Sequence, residues 1–439
     1  MRRVAVIGGG IAGLGAAYVL SRRHEVHLFE KETRVGGHTH TRVVDTPGGP
    51  LALDTGFLVH NDRTYPNLVR LFAELGVGTR PSDMSFAVTC RRTGYEYSSR
   101  GLGGFFADRR NLLRPRHYRL FTEILRFNRE ATALVARPDG AALTLGEFVD
   151  RQRYTDEFLR FYLLPMAAAV WSASLEAIRA FPATTLIRFF DNHGMLGINT
   201  HPRWKVVEGG SHSYLGPITA PYRSRIRTGV TIQSVRRLDA GVELRLADGA
   251  CHGFDEVVFA CHGDQVLPLL ADPTDLERDV FAGFATSRND VWLHTDASLL
   301  PRRPAARASW NYNLGGDEGR GATVTYHLNR LQSLAAPEDY CVTLNPGGAI
   351  DPARVIARMT YRHPLYTRDA LAAQARWAEV SGRRHTHFCG AYWRHGFHED
   401  GFVSALRVAR TLGVEWGEND GTSDLHGRRQ APPLPATAA

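Results

Sequence analysis

The first thirty residues leave this chain few alternatives. An apolar strand from Arg3 to Ile7 runs into Gly8-x-Gly10-x-x-Gly13, which opens a helix from Ile11 to Ser21, and a second strand from Glu25 ends on Glu30. Each part has a physical task. Gly8 permits the tight turn, Gly10 lets a pyrophosphate approach bare backbone at the positive end of a helix, and Gly13 allows close helix-to-strand packing. Glu30 is placed to accept ribose hydroxyls. A βαβ unit of this kind predicts a dinucleotide site in an α/β protein.

With 439 residues, 43% hydrophobic and 22% charged, the chain is long enough to outgrow one compact core, so two domains are expected, interleaved along the sequence. The five cysteines lack C-x-x-C spacing, which argues against a zinc ribbon or a disulfide scaffold, and no metal site is expected. The net charge of +8 comes from 51 Arg and only two Lys, Lys31 and Lys205, without a long basic block, so no nucleic-acid partner is expected. The longest apolar run, Phe161 to Trp171, is too short to span a bilayer and contains Pro165. These features suggest a cytoplasmic protein, with contact at the inner face of the membrane left open.

Helical spacing recurs from Thr64 to Leu75, Tyr118 to Ala136, Phe158 to Trp171 and Ala183 to Asp191, and Thr144 to Glu147 reads as a capping box. The region from Thr64 to Glu147 therefore reads as mainly helical. Strand character returns at Trp204 to Val207 and continues through Thr231 to Leu238, Val242 to Leu246, Glu256 to Ala260, Asp290 to His294, Thr323 to Leu328 and Val355 to Tyr361. A last helix is expected from Gly401 to Leu412, opened by Asp400-Gly401, with its N-terminal amides facing negative charge on the ligand.

After Glu30 comes Arg34-x-Gly36-Gly37-His38, a second glycine turn with a cation beside the pyrophosphate that NAD domains do not need. Together with Asp54-Thr55-Gly56-Phe57, Gly209-Gly210, Gly390 and Asp400-Gly401, this pattern resembles the flavin-containing amine oxidase superfamily, which includes phytoene desaturases and protoporphyrinogen oxidases. The resemblance implies FAD as cofactor. It also implies an α/β fold in which a Rossmann-like FAD-binding domain with a mixed sheet, of the glutathione-reductase type, interleaves with an α+β substrate domain. The segments expected are 1–60, 203–285 and 381–416 for the cofactor and 61–202 and 286–380 for the substrate, with 417–439 a disordered tail. By the same resemblance Gly36, Gly37 and Gly56 approach the cofactor, Val230 meets the adenine through its main chain, and Gly390 to Gly401 meets the ribityl and isoalloxazine.

The stretch Cys389 to Gly401, with Asn192-His193-Gly194 and Trp204 to Ser211, is similar to a narrower branch of flavoproteins found beside, or fused to, cyclopropane-fatty-acid-synthase-like methyltransferases. That branch implies an unsaturated, methylated or cyclopropanated acyl chain as substrate, carried as fatty acid or phospholipid, with dehydrogenation, oxidation or double-bond isomerisation as the reaction. Such a methyltransferase is the implied protein partner. Candidate proton-handling residues are His398, Glu399 and His193, each also readable as structural. Phe161, Tyr162, Trp171, Phe181, Phe189, Phe190 and Met195 are candidates for an acyl pocket or for core. Arg116, Arg119, Arg126 and Arg129, with Leu120, Ile124, Leu125 and Leu134, form either a lipid-facing stripe or a solvated helix face. A flavin amine oxidase, with Tyr392 and Trp393 walling an amine pocket, is the alternative; a non-catalytic lipid carrier is another.

Overall fold

The computed structural model describes residues 1–136, 143–171, 175–197, 202–314 and 323–417. Its centre is a parallel sheet with strand order Ile226–Arg227, Glu25–Phe29, Arg3–Ile7, Glu256–Phe259, Thr386–Phe388. Val4 to Val6 and Val257 to Phe259 are fully buried, as expected of strands covered on both faces. The helix Ile11–Leu20 is apolar on every side because helix His398–Thr411 lies against it: Gly15 faces Phe402 and Gly401 faces Ile11, so closely that a methyl group at either glycine would clash. A three-stranded antiparallel meander, Ile232–Leu238, Gly241–Leu246 and Cys251–Phe254, extends this half. Helices Pro66–Glu74 and Arg368–Ala375 add Leu68, Leu71, Phe72, Ala370 and Ala373 to the same core.

The second half is a seven-stranded sheet, in the order Val355–Leu365, Ala285–His294, Cys341–Leu344, Val324–His327, Trp310–Leu314, Phe86–Cys90, Tyr95–Ser98. Its pairs are antiparallel except that of Trp310–Leu314 with Phe86–Cys90. Helices Pro115–Ala136, Leu145–Arg151, Leu164–Trp171 and Ala183–Asn192 cover one face and bury Phe127, Phe148, Ala168 and Leu186 against Val88, Leu314 and Leu344. Phe86–Cys90 and Tyr95–Ser98 correct the mainly helical reading of Thr64 to Glu147. These runs of aromatic, β-branched and small residues flank a four-residue turn, too short for periodicity to show.

Two further boundaries move for stated reasons. The expected helix Phe158 to Trp171 is broken by a wide turn at Leu159–Leu163. Pro165 has no amide to bond the carbonyl of Phe161, and the Tyr97 hydroxyl donates to that carbonyl instead at 2.6 Å. The last helix begins at His398 rather than Gly401, because Asp400 is its third residue and reaches back to accept the Phe397 N–H at 3.0 Å. Among the described residues no helix is long and apolar enough to cross a membrane. The tail 418–439 lies outside the described residues.

Candidate functional site

The opening turn is as tight as backbone allows. A Cβ on Gly13 would lie 1.8 Å from the Gly8 carbonyl oxygen, and one on Gly8, whose φ is +109°, would meet the Ala260 carbonyl oxygen at 2.8 Å. Around Gly10, by contrast, a Cβ would meet nothing within 4 Å. Gly8 and Gly13 thus serve packing, while Gly10 presents bare backbone to open space at the head of helix Ile11–Leu20. Glu30 spans the turn: one carboxylate oxygen accepts the Gly9 N–H at 2.6 Å and the other accepts the Glu32 N–H at 2.8 Å. Val230 donates its main-chain N–H to the Glu30 carbonyl at 3.0 Å, so it flanks the strand end.

The second glycine turn closes over the first. Gly36 N–H donates to the Gly9 carbonyl at 2.7 Å, and the Arg34 guanidinium braces the loop by donating to the carbonyls of Gly37 (2.9 Å) and Thr39 (3.2 Å). No carboxylate pairs with Arg34 among the described residues, so its charge is left for an anion. Gly56 sits where a Cβ would be 2.2 Å from the His38 carbonyl oxygen. Asp54, fully buried, accepts from the Ser211 N–H (2.8 Å) and hydroxyl (2.7 Å) and from Thr41 (2.5 Å), tying Gly209-Gly210 to this corner; burial raises its carboxyl above the ordinary range.

A single cavity of about 2130 Å³ runs from these turns into the second half of the molecule. Pockets for ordinary small ligands measure about 300–1,000 Å³, so there is room for a dinucleotide and a second molecule. Gly8, Gly10, Glu30, Arg34, Gly37, Gly56, Val230 and Gly390 line one end; Ile124, Leu125, Tyr162, Met166, Val170, Trp171, Phe189, Met195 and Met359 line the other. Phe161, Phe181 and Phe190, expected as candidates for the same pocket, do not line it and belong to the core or pack against it.

Of the three proton-handling candidates, His398 and His193 line the cavity. His398 stacks on Phe57 with ring centres 3.8 Å apart, and its Nε2 shares a hydrogen with Thr39 Oγ1 at 2.9 Å; burial pushes its pKa down to about 3. His193 ends helix Ala183–Asn192, stacks on Phe189 at 3.9 Å, and is pushed down to about 4 by burial. Both imidazoles are neutral at physiological pH.

Glu399 is a correction: it does not line the cavity but accepts the Asn67 N–H (3.1 Å), the Asn67 side-chain amide (2.7 Å) and the Leu68 N–H (2.9 Å), capping helix Pro66–Glu74. Burial raises its pKa to about 7. Asp400 and Gly401 are corrected likewise, one reaching back within its own helix and the other packing on Ile11, and neither lines the cavity. Gly13 and Gly36 also stand behind its wall.

Sequence reasoning missed a group of imidazoles. His38 lies 5.2 Å from His363 and 6.3 Å from His262, ring centre to ring centre, and all three line the cavity. Burial lowers each, with His363 at about 4, and His38 Nε2 is buried without a partner. His38 directly follows Gly37 and was within reach of the motif; His262, in the turn after strand Glu256–Phe259, and His363, on strand Val355–Leu365, carry no local signal. Tyr361, bonded to Thr55 at 2.7 Å and to His40 at 2.9 Å, and Tyr366 complete this wall.

These residues fit FAD. The open cradle at Gly10, the unpaired Arg34 charge, the acid at the strand end and the partnerless His38 nitrogen suit a dinucleotide, and the cavity has the volume for it.

Comparison with known proteins agrees. The sequence model of the family described as flavin containing amine oxidoreductase matches residues 11–325. The carotenoid phi-ring synthase of Chlorobaculum tepidum is 35% identical over 79 residues, which are 18% of this chain and 12% of that protein. The matched stretch therefore spans only a small part of that relative's length. Among solved structures, putrescine oxidase bound to putrescine has a TM-score of 0.67 at 13% identity, covering 94% of this chain and 98% of the other. A CLA-producing fatty acid isomerase from P. acnes has a TM-score of 0.66 at 16% identity, covering 94% and 99%. At such identities the likeness is one of fold. The family match covers well over half of the chain, and with it this protein belongs to the flavin containing amine oxidoreductases, as an FAD-dependent enzyme.

Proposed function

We propose that the enzyme acts on unsaturated, methylated or cyclopropanated fatty acyl chains, by dehydrogenation, oxidation or double-bond isomerisation. The observation that carries this reading is the character of the cavity's far end, where Met166, Val170, Trp171, Phe189, Met195 and Met359 form a wall of apolar and soft side chains. The fold shared with a fatty acid isomerase is in keeping with it.

The acids that line the cavity speak against a cationic amine. Asp62 is held by Lys205 at 2.8 Å, Asp83 by Arg330 at 3.1 Å and Asp264 by Arg362. Glu30 spends both oxygens on main-chain N–H groups, and Glu32 lies beside it at the nucleotide end. Among the described residues, an ammonium substrate would find no free carboxylate at the apolar end. Tyr392 lines the cavity, but Trp393 does not: its ring packs edge-on against Phe284 at 4.8 Å, so a Tyr–Trp amine wall is not assembled.

FAD, when bound, supplies hydride acceptance. The chain's own residues hold the dinucleotide at Gly10, Glu30 and Arg34, line the far arm with apolar side chains, and present His398 as a neutral imidazole able to take a proton only from an activated carbon. Anaerobic mixing of the yellow protein with such acyl chains tests the proposal. Bleaching marks net oxidation, and product without net bleaching marks isomerisation. Bleaching by a primary or secondary amine, with no response to any acyl chain, overturns it.

A further inference from the structure

The cavity opens beside a surface unlike the rest of the molecule. Ten large apolar side chains are exposed among the described residues, and six of them, Leu102, Leu112, Leu113, Tyr118, Phe121 and Leu125, lie within one stretch of twenty-four positions. Leu113 is 88% exposed and Leu102 78%. These six belong to one surface. Phe105 of the short helix Gly101–Phe105 packs against His117, tilted with ring centres 4.0 Å apart, and meets Phe121, while the Tyr118 hydroxyl donates to the Leu112 carbonyl at 3.0 Å in the turn Arg109–Leu113.

Across positions 101–136, which carry this surface, the unpaired charge has a single sign. Arg109, Arg110, Arg116, Arg119 and Arg129 are exposed, and none forms an ion pair among the described residues. Its three acids are consumed inside: Asp108 is held by Arg114 and Arg303, Glu123 by the Thr155 N–H and hydroxyl, and Glu130 by the Tyr154 hydroxyl and Arg126. Leu120 and Leu134, read as part of either a lipid-facing stripe or a solvated helix face, are core, and Arg126 stacks on Tyr154 at 4.1 Å.

We propose that this face is a docking surface for an anionic lipid bilayer, with Leu102, Leu112 and Leu113 entering the acyl boundary and the unpaired arginines meeting headgroup phosphates. A face that joins free leucines to unpaired cations matches a surface offering both hydrocarbon and negative charge. Phe121, Ile124, Leu125 and Asn128 of the same helix line the cavity, so a chain lifted from the bilayer there reaches the site without crossing water. That route rests on the acyl-chain reading above; the docking itself does not.

Flotation of the full-length, FAD-loaded protein with phosphatidylcholine vesicles, with and without phosphatidylglycerol, tests it. The wild type is expected to float with the anionic vesicles, less so as salt is raised. Leu102→Asp with Leu113→Asp is expected to weaken binding tenfold or more, and Arg109→Gln and Arg110→Gln about fivefold each. These side chains lie outside the cavity, and an unchanged flavin content reports intact folding. Three results overturn the proposal: no binding to anionic vesicles, unchanged binding in the leucine variant, or a doubled mass in solution that the leucine variant abolishes. Turnover of dispersed fatty acid separates the two readings. Vesicle binding without acyl turnover removes the function alone, and acyl turnover without vesicle binding removes the docking alone.

Discussion

The two ends of the cavity are built by opposite means. At the nucleotide end, main chain does the work: Gly8, Gly13 and Gly56 sit where a single methyl would strike a carbonyl oxygen, and Arg34 bonds only to backbone. At the apolar end, side chains from helices and strands far apart in sequence, such as Tyr162, Phe189 and Met359, supply the wall. Close approach by backbone admits one residue type, whereas filling space with hydrocarbon admits many. The first end is therefore intolerant and legible, and the second is adaptable.

The strongest way to break this contrast is Gly13→Ala. With its new Cβ 1.8 Å from the Gly8 carbonyl oxygen, the variant should lose about 3 kcal/mol or more and emerge without yellow colour. Thermal unfolding and flavin absorbance check it. A stable, yellow Gly13→Ala protein would show that the turn can yield.

A pH experiment compares the two imidazoles His398 and His193 of the cavity wall. The folded pKa values of His398 and His193 are depressed to about 3 and about 4 from 6.5, so their stabilising contribution is present above about pH 6.5 and lost as pH falls toward those values. Each should add a slope of about 1.4 kcal/mol per pH unit across that window. Denaturant melts of His398→Gln and His193→Gln should show the acid branch flattened by that amount, with His398 acting to the lower pH. Equal slopes in wild type and variants would mean that both rings are hydrated.

Glu30→Ala should weaken FAD retention roughly tenfold to a hundredfold, as expected for charge-assisted hydrogen bonds worth about 1.5–3 kcal/mol. Flavin fluorescence on dilution measures it, and full retention would remove Glu30 from the cofactor site. The gentlest probe is Met195→Trp in the apolar arm. It should leave FAD content intact and raise KM for long acyl chains about tenfold relative to short ones. Loss of flavin there instead would show that the two ends are not separable.

Legibility followed the same division. The strand Arg3–Ile7 and helix Ile11–Leu20 were readable nearly to the residue, because a buried parallel strand and a glycine turn leave few alternatives. Gly10 and Glu30 stood out in sequence through that same turn and Arg34 through the next, and all three line the cavity. Glu399 and Asp400 were misread because acids beside a glycine near a helix start look alike in sequence; one caps a neighbouring helix and the other its own. His262 and His363 could not be found, since only the pairing of Glu256–Phe259 and Val355–Leu365 within their sheets carries them to His38. The exposed leucines around Leu113 lie in a short turn outside any helical period, so the apolar stripe of Leu120, Ile124, Leu125 and Leu134 drew the eye past them.

The central sheet also sets the order in which the protein can be made. Its edge strand Thr386–Phe388 pairs with Glu256–Phe259, and Glu399 caps Asn67 from 332 residues away, so both contacts wait for segments made long after their partners. Until then a nascent chain holds an unpaired edge beside Glu256–Phe259 and a loose helix Pro66–Glu74. Such long-range closure slows folding and leaves the unfinished chain open to aggregation, so this enzyme should depend on chaperones in proportion to its rate of synthesis.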